Sequence, residues 1–406
     1  MKKDTHNDTT FIDTILLKRG IEAIYPSKEA LREVLLAGRK LTMYVGIDPT
    51  ATVIHVGNAI GLRKLAQFQK LGHKIIFLVG DFTARLGDPS DKEQMRRMLT
   101  EEEIKRNVKT YKEQASRILD FDSKVNPAVV KFNSTWLNKL SFGDIIELAS
   151  HFTVQQMMER DLFQKRLKEE KPIGLHEFLY PLMQGYDSVA MNVDLELGGT
   201  DQTFNMLAGR TLMKDIHKKE KFVITTPLLL GLDGRKMSKS FGNFIALTAS
   251  PEDKFGKTMS MTDSLVPQYL DLATDLTQKE IDALLDQMKS DPMNVKKRLA
   301  FEIVSLFDGK DAAQKAQGQF EKVFQHKELP TEVPTYLVSE KTLSLMELLL
   351  RLRVVSSKSV AKRLVKQGGV EIDGKRVTDP SVEIDIHEGM IVRCGKKEFR
   401  KIVTRV

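Results

Sequence analysis

The sequence has a single cysteine, Cys394, among its 406 residues. One thiol excludes an intrachain disulfide and any zinc site built from several cysteines. The eight histidines lack metal-ligand spacing, so no resident metal is expected. Long apolar runs are also missing: the longest, such as residues 75–79, fall far short of the roughly 20 residues a membrane span needs. The amino terminus has no apolar stretch of the secretory kind, which makes the cytoplasm the default expectation. Internal repeats and low-complexity tracts are absent.

Hydrophobic residues make up 41% and charged residues 29%, ordinary values that exclude disordered and fibrous classes. The length suffices for two or three domains. The formal charge of +8 is unevenly placed. Residues 341–406 carry 15 basic and 8 acidic side chains, net +7, which leaves the first 340 residues at +1. A near-neutral body with a basic tail is the footprint of a polyanion-binding appendage.

The first half alternates strand and helix patterns. Residues 43–47 form an apolar run ended by Asp48, Pro49 and Thr50, and residues 59–69 follow at helical spacing. Residues 75–79 are apolar on both faces, as a strand inside a helix-covered parallel sheet must be. Thr100 and Glu103 make a capping box, after which residues 104–118 continue one helical face. Further strands are expected at residues 193–197 and 222–226, with a helix over 178–189 between them and the sheet's first half. This is a doubly wound α/β pattern.

Beyond Ser250-Pro251, a helix start with proline in the first turn, helical patterns run to about residue 325. The prolines at 330 and 334 mark a linker. A basic helix over 356–367 and a hairpin turn at Asp373-Gly374 follow. The expected organisation is α/β: a Rossmann-like parallel-sheet catalytic domain (1–248), an α-helical domain (249–328), a linker (329–342) and a small basic α+β domain (343–406).

Two constellations carry chemistry. The first is Tyr44, Gly46, Asp48, Pro49 and Thr50, then His55, Gly57 and Asn58, where a strand hands over to a helix. In open α/β sheets that crevice holds nucleotides, Gly57 admits close approach to the backbone, and the helix end favours phosphate. Taken alone, His55 to Asn58 is a weak signal, which a turn histidine at a helix start explains better. The second is Lys236-Met237-Ser238-Lys239-Ser240, whose two lysines and small hydroxyl residues suit a loop closing over a triphosphate. A solvated basic loop would look similar, but such a pentamer arises by chance in only about one chain in ten thousand.

In this order, the two motifs resemble those of the class I aminoacyl-tRNA synthetases. Gly87-Asp88-Pro89-Ser90, then Tyr180, Gln184 and Asp187, then Gly198-Gly199-Thr200-Asp201-Gln202 narrow the resemblance to the bacterial-type tyrosyl-tRNA synthetases, over nearly the whole chain. Residues 356–374 resemble a small RNA-binding module of ribosomal-protein type. The resemblance implies a ligase that activates L-tyrosine with ATP and passes it to tRNA(Tyr), as a homodimer joined through residues 121–171. Mg²⁺ is expected with the triphosphate.

It also implies roles. Tyr44 and Asp187 bind the substrate phenol; Asp88, Tyr180 and Gln184 bind its ammonium group; Gln202 lies near its carboxylate, with Thr83 behind. Asp201 and Gly199 take the ATP ribose, and Asp48, Gly57, Asn58, Ser238 and Ser240 join the ATP site. Thr50, His55, Lys236 and Lys239 act on the phosphates. Lys358, Lys362, Arg363 and Lys366 grip RNA. The chain departs from the family at Asn58, usually histidine, and at Asp91, commonly glycine. Three rival readings remain. Tryptophanyl-type synthetases share the architecture without the phenol-reading pair. A non-catalytic RNA-binding paralogue would keep the site without turnover, and a small-molecule nucleotidyltransferase would share only the first signature.

Overall fold

The computed structural model describes residues 9–50, 52–88, 99–237, 241–324, 333–355, 357–395 and 398–404. They fall into two compact units, 1–316 and 317–406. The first is built on a six-stranded sheet of β1 (Ala23–Tyr25), β2 (Thr42–Ile47), β3 (Lys74–Val79), β4 (Val129–Phe132), β5 (Leu195–Gly199) and β6 (Phe222–Thr226), in the order β1-β6-β5-β2-β3-β4. Strands β2 to β6 run parallel, and β1 pairs antiparallel with β6. The chain steps from β2 outward to β3 and β4, then returns to the other side of β2 for β5 and β6. That reversal leaves a crevice beyond the carboxyl ends of β2 and β5, where such sheets bind ligands.

The sheet forms because β3 and β6 are apolar on both faces and lie under helices: five of six β3 residues and all of β6 are buried. The helix expected over 59–69 begins earlier, at Val56–Lys70, because His55 and Asn58 cap it reciprocally. The single face expected over 104–118 is two helices, Glu101–Val108 and Tyr111–Ala115. Thr110 and Gln114 turn aside there to bond the carbonyl of Thr52. Strands β1 and β4 are short edge elements that the sequence pattern does not single out.

The helices after Ser250, which include Pro251–Ser260, Gln278–Gln287 and Pro292–Asp308, share one apolar core with the sheet region; Leu265, Tyr269, Leu299 and Phe307 belong to it alongside Met43 and Phe77. Arg19 donates to the carbonyls of Leu270, Asp271 and Thr274, and Arg63 to those of Leu272 and Thr274, so the free helix end there is capped from the sheet side.

The second unit carries its own core, centred on Leu345, Leu348, Val365, Val392 and Ile402. Its sheet orders β7 (Thr335–Val338), β9 (Val370–Ile372), β10 (Lys375–Val377), β12 (Ile391–Cys394) and β13 (Glu398–Thr404) as β10-β9-β12-β13-β7, while β8 (Thr342–Ser344) pairs with β11 (Glu383–Asp385). The turn at Asp373-Gly374 joins β9 to β10 as the sequence predicts. The basic helix spans Lys358–Lys366, with Ser357 as its cap.

Candidate active site

The carboxyl ends of the five parallel strands open on one cleft of about 1210 Å³. Asp48, Gly80, Asn133, Gly199 and Thr226, at or just past those ends, all line it. A side chain at position 80 has no room, because a Cβ there would lie 2.0 Å from Asp48 Oδ1 and 2.4 Å from Thr83 Oγ1. The helix Tyr180–Met191 adds one face to the cleft: Tyr180, Gln184 and Asp187 recur every three or four residues.

Every residue assigned to the tyrosine lines this cleft: Tyr44, Thr83 and Asp88 from the first half, and Tyr180, Gln184, Asp187 and Gln202 from the second. So do Asp48, Thr50, His55, Gly57 and Asn58, together with Gly199, Asp201 and Lys236. Ser238, Lys239, Ser240 and Asp91 lie outside the described residues. The basic stripe of Lys358, Lys362, Arg363 and Lys366 is exposed in the second unit, with Ala361 and Val365 on the buried side of its helix.

Asp187 is fully enclosed. Its carboxylate accepts from Trp136 Nε1 at 2.7 Å and from Asn133 Nδ2 at 3.2 Å. Burial pushes its pKa well above the ordinary carboxylate range, and those two hydrogen bonds oppose the shift. Tyr44, equally buried, shares a hydrogen bond of 2.9 Å with Ser188 Oγ. Its phenol pKa is raised, first by burial and then by the charges of Glu196 and Asp187.

Asp48 joins the two halves of the site, accepting from Tyr180 at 2.9 Å and from Thr83 Oγ1 at 2.7 Å. Asp88 accepts from Gln202 Nε2 at 2.5 Å, and the buried guanidinium of Arg160 stands 3.8 Å from its other oxygen. Lys236 Nζ lies 3.4 Å from Asp201 Oδ2. An antiparallel bridge between His55 and Ala246 holds the stretch after residues 236–240 against the first signature. Asn243 pins the loop base by donating to Asp233 at 2.8 Å and to the carbonyl of Lys236 at 3.2 Å.

Sequence reasoning missed Asn133, Trp136, Ser188, Glu196 and Lys221. Asn133 and Trp136 follow β4, whose run Val129-Val130-Lys131-Phe132 was the available signal. The buried ion pair of Glu196 and Lys221 had none: the residues are 25 positions apart, one within β5 and the other just before β6.

A parallel sheet with a switch-point cleft, a capped helix amino end at its lip and a lysine-bearing loop base beside it defines an α/β protein of the nucleotide-binding class. The family of class I tRNA synthetases for tryptophan and tyrosine matches residues 36–325, and the S4 domain family matches residues 344–392. The tyrosine–tRNA ligase of Moorella thermoacetica is 45% identical over 96% of this chain and 95% of its own; that of Thermotoga maritima is 45% identical over 95% and 96%. The fold is similar to that of a C-terminally truncated mitochondrial tyrosyl-tRNA synthetase from Aspergillus nidulans, with a TM-score of 0.65 at 24% identity, covering 78% of this chain and 97% of that one. The chain belongs to the class I tRNA synthetases, among the tyrosine–tRNA ligases.

Proposed function

We propose that the cleft residues carry out tyrosine–tRNA ligation in two steps. A carboxylate oxygen of L-tyrosine attacks the α-phosphorus of ATP. The bond to the bridging oxygen breaks, and pyrophosphate leaves with that electron pair. A ribose hydroxyl of the terminal adenosine of tRNA(Tyr) then attacks the acyl carbon of tyrosyl-adenylate, and AMP departs. No side chain serves as nucleophile, so the rate comes from positioning and from charge stabilisation.

Tyr44 and Asp187 read the phenol, and a ligand without the hydroxyl leaves both unpaired. Asp88, Tyr180 and Gln184 hold the ammonium group, with Gln202 beside the carboxylate and Thr83 steadying Asp48. Gly199 and Asp201 take the ribose, Gly57 lets the nucleotide approach the backbone, and Asp48 and Asn58 border it. Thr50, His55, Lys236 and Lys239 neutralise the phosphates, with Ser238 and Ser240 in the same loop. Mg²⁺ belongs to the substrate, carried on the triphosphate. The exposed cations of the Lys358–Lys366 helix hold the tRNA backbone, and protein synthesis places the work in the cytoplasm.

The observation that carries this reading is the shared cleft of Asp187 and Lys236, 49 residues apart in sequence and on walls that meet one cavity. ATP–pyrophosphate exchange measured with each amino acid tests it: tyrosine alone should drive exchange. Exchange driven by tryptophan, or by none, overturns it.

The chain also reads as a homodimer through residues 121–171. Support comes from apolar side chains left in solvent there: Val125, Phe142 and Val154 are 94%, 80% and 70% exposed. Equilibrium sedimentation should return twice the chain mass, and a monomer at micromolar concentration refutes it.

A further inference from the structure

Beneath the cleft, Lys221 and Glu196 form an ion pair whose side chains are 0% and 2% exposed. The ammonium of Lys221 donates to Glu196 Oε2, to Ser188 Oγ at 2.8 Å and to the carbonyl of Met206 at 3.2 Å, which uses all three of its hydrogens. Each member of the pair then reaches one further residue of the cleft wall. Ser188 Oγ lies 2.9 Å from the Tyr44 hydroxyl, and Glu196 Oε1 lies 3.1 Å from Gln184 Nε2.

A buried ion pair is a poor stabilising device, because desolvation of both charges offsets their attraction and apolar residues of like volume do as well. What it does supply is direction. A carboxylate only accepts, so Glu196 holds the Gln184 amide with its NH₂ turned inward. The opposite atom, Gln184 Oε1, is buried in a side chain that lines the cleft and has no hydrogen-bond partner among the described residues. It is an acceptor awaiting a donor, and an ammonium group is the ligand chemistry that fits. Lys221 only donates, so it occupies a lone pair of Ser188. Ser188 Oγ lies 2.9 Å from the Tyr44 hydroxyl and 3.4 Å from Glu196 Oε2, and its single hydrogen can serve only one of them. Given to the nearer Tyr44, it leaves the phenol of Tyr44 its own hydrogen for the oxygen of a ligand phenol.

We infer that the buried Lys221–Glu196 pair sets the donor and acceptor sense of the tyrosine pocket, making Tyr44 a donor through Ser188 and holding Gln184 as an acceptor. Both are positioning residues, and the inference rests on the reading of this cleft as the tyrosine site.

The test is ATP–pyrophosphate exchange with L-tyrosine and with L-phenylalanine, which shares the ammonium group and lacks the phenol. Ser188→Ala breaks only the Tyr44 arm. It should lower kcat/KM for tyrosine about 10-fold, through KM with kcat unchanged, and leave phenylalanine within about 2-fold. The double variant Glu196→Gln/Lys221→Met removes both charges at similar volume. It should cost tyrosine about 100-fold and phenylalanine about 10-fold, since both arms are then without direction. Equal losses for the two substrates in Ser188→Ala, or no change in KM, overturn the inference, and this variant leaves the ion pair whole, so it decides the matter even if the double variant folds poorly. Tyr44→Phe separates the two levels of the argument. If it reduces discrimination while Ser188→Ala does not, the inference falls and the pocket stands; if it leaves discrimination untouched, both fall.

Discussion

The backbone N–H of Asn58 donates to Nδ1 of His55 at 3.3 Å, while Asn58 Oδ1 accepts the N–H of His55 at 3.2 Å. The two residues cap the helix Val56–Lys70, and the backbone N–H at position 58 sets the histidine's tautomer. With Nδ1 accepting, the neutral ring carries its hydrogen on Nε2, the form that donates to a phosphate oxygen. The departure from histidine at position 58 is thus a residue well suited to capping, and it costs the site no donor at His55.

Asn58→Ala should remove the side-chain half of the cap, the bond from the His55 N–H to Asn58 Oδ1, and keep the backbone N–H on His55 Nδ1. We expect a loss of about 0.5–2 kcal/mol in stability, measured by urea unfolding, together with a raised KM for ATP and an unchanged KM for tyrosine. A variant as stable as the parent with the same KM for ATP would show that the cap does neither job.

Asp187→Ala takes away the acceptor proposed for the phenol hydrogen and leaves Trp136 Nε1 and Asn133 Nδ2 without their shared carboxylate. The expected result is a fall of about 10-fold to 100-fold in kcat/KM for tyrosine in the exchange assay, with ATP binding preserved. Unchanged tyrosine affinity removes Asp187 from the pocket.

Burial raises the folded-state pKa of Asp187 above its ordinary 3.8. Above that value the unfolded chain releases the proton while the folded chain retains it, so the contribution of Asp187 is full at low pH and is lost as pH climbs toward the folded pKa. Relative to Asp187→Asn, which does not titrate, the parent should lose stability as pH rises from about 4, by up to about 1.4 kcal/mol per pH unit. Urea titrations of both proteins between pH 4 and 7 measure this, and a difference that is flat or of opposite slope refutes it.

Lys236 stands against Asp201 at 3.4 Å, and on the proposed assignment nucleotide binding exchanges that pairing for ribose on Asp201 and phosphate on Lys236. Lys236→Ala should reduce the rate of adenylate formation by about 100-fold, followed by stopped flow, with tyrosine dissociation constants unaltered. A change confined to tyrosine affinity contradicts the assignment.

Replacing Lys358, Lys362, Arg363 and Lys366 by glutamine should weaken tRNA binding and flatten its dependence on salt, by about 0.7–0.9 in the log–log slope for each phosphate no longer neutralised. Pyrophosphate exchange should not move. Filter binding across a salt series distinguishes this from a fold defect, which would reduce affinity without altering the slope.

Much of the site was legible because its residues sit at strand ends and helix starts, where local chemistry leaves a mark. Asp48-Pro49 closes an apolar run, Gly198-Gly199 closes another, and Tyr180, Gln184 and Asp187 repeat at helical spacing. The strands that escaped notice, β1 and β4, are only three and four residues long. Their pairing comes from neighbours in the sheet, and so short a run has little periodicity to read.

The sequence by itself determined the alternation of strand and helix, the placement of Gly57, Gly199 and Lys236 at element ends, and the basic character of the tail, because each depends on residues close along the chain. Only the tertiary structure decided that Trp136 and Asn133 hold Asp187, that Asp48 joins Tyr180 to Thr83, and that Lys221 and Glu196 meet under Tyr44 and Gln184. Those partners are brought together by the packing of strands and helices from distant parts of the chain, and a hydrogen bond acts over about 3 Å whatever the separation in sequence.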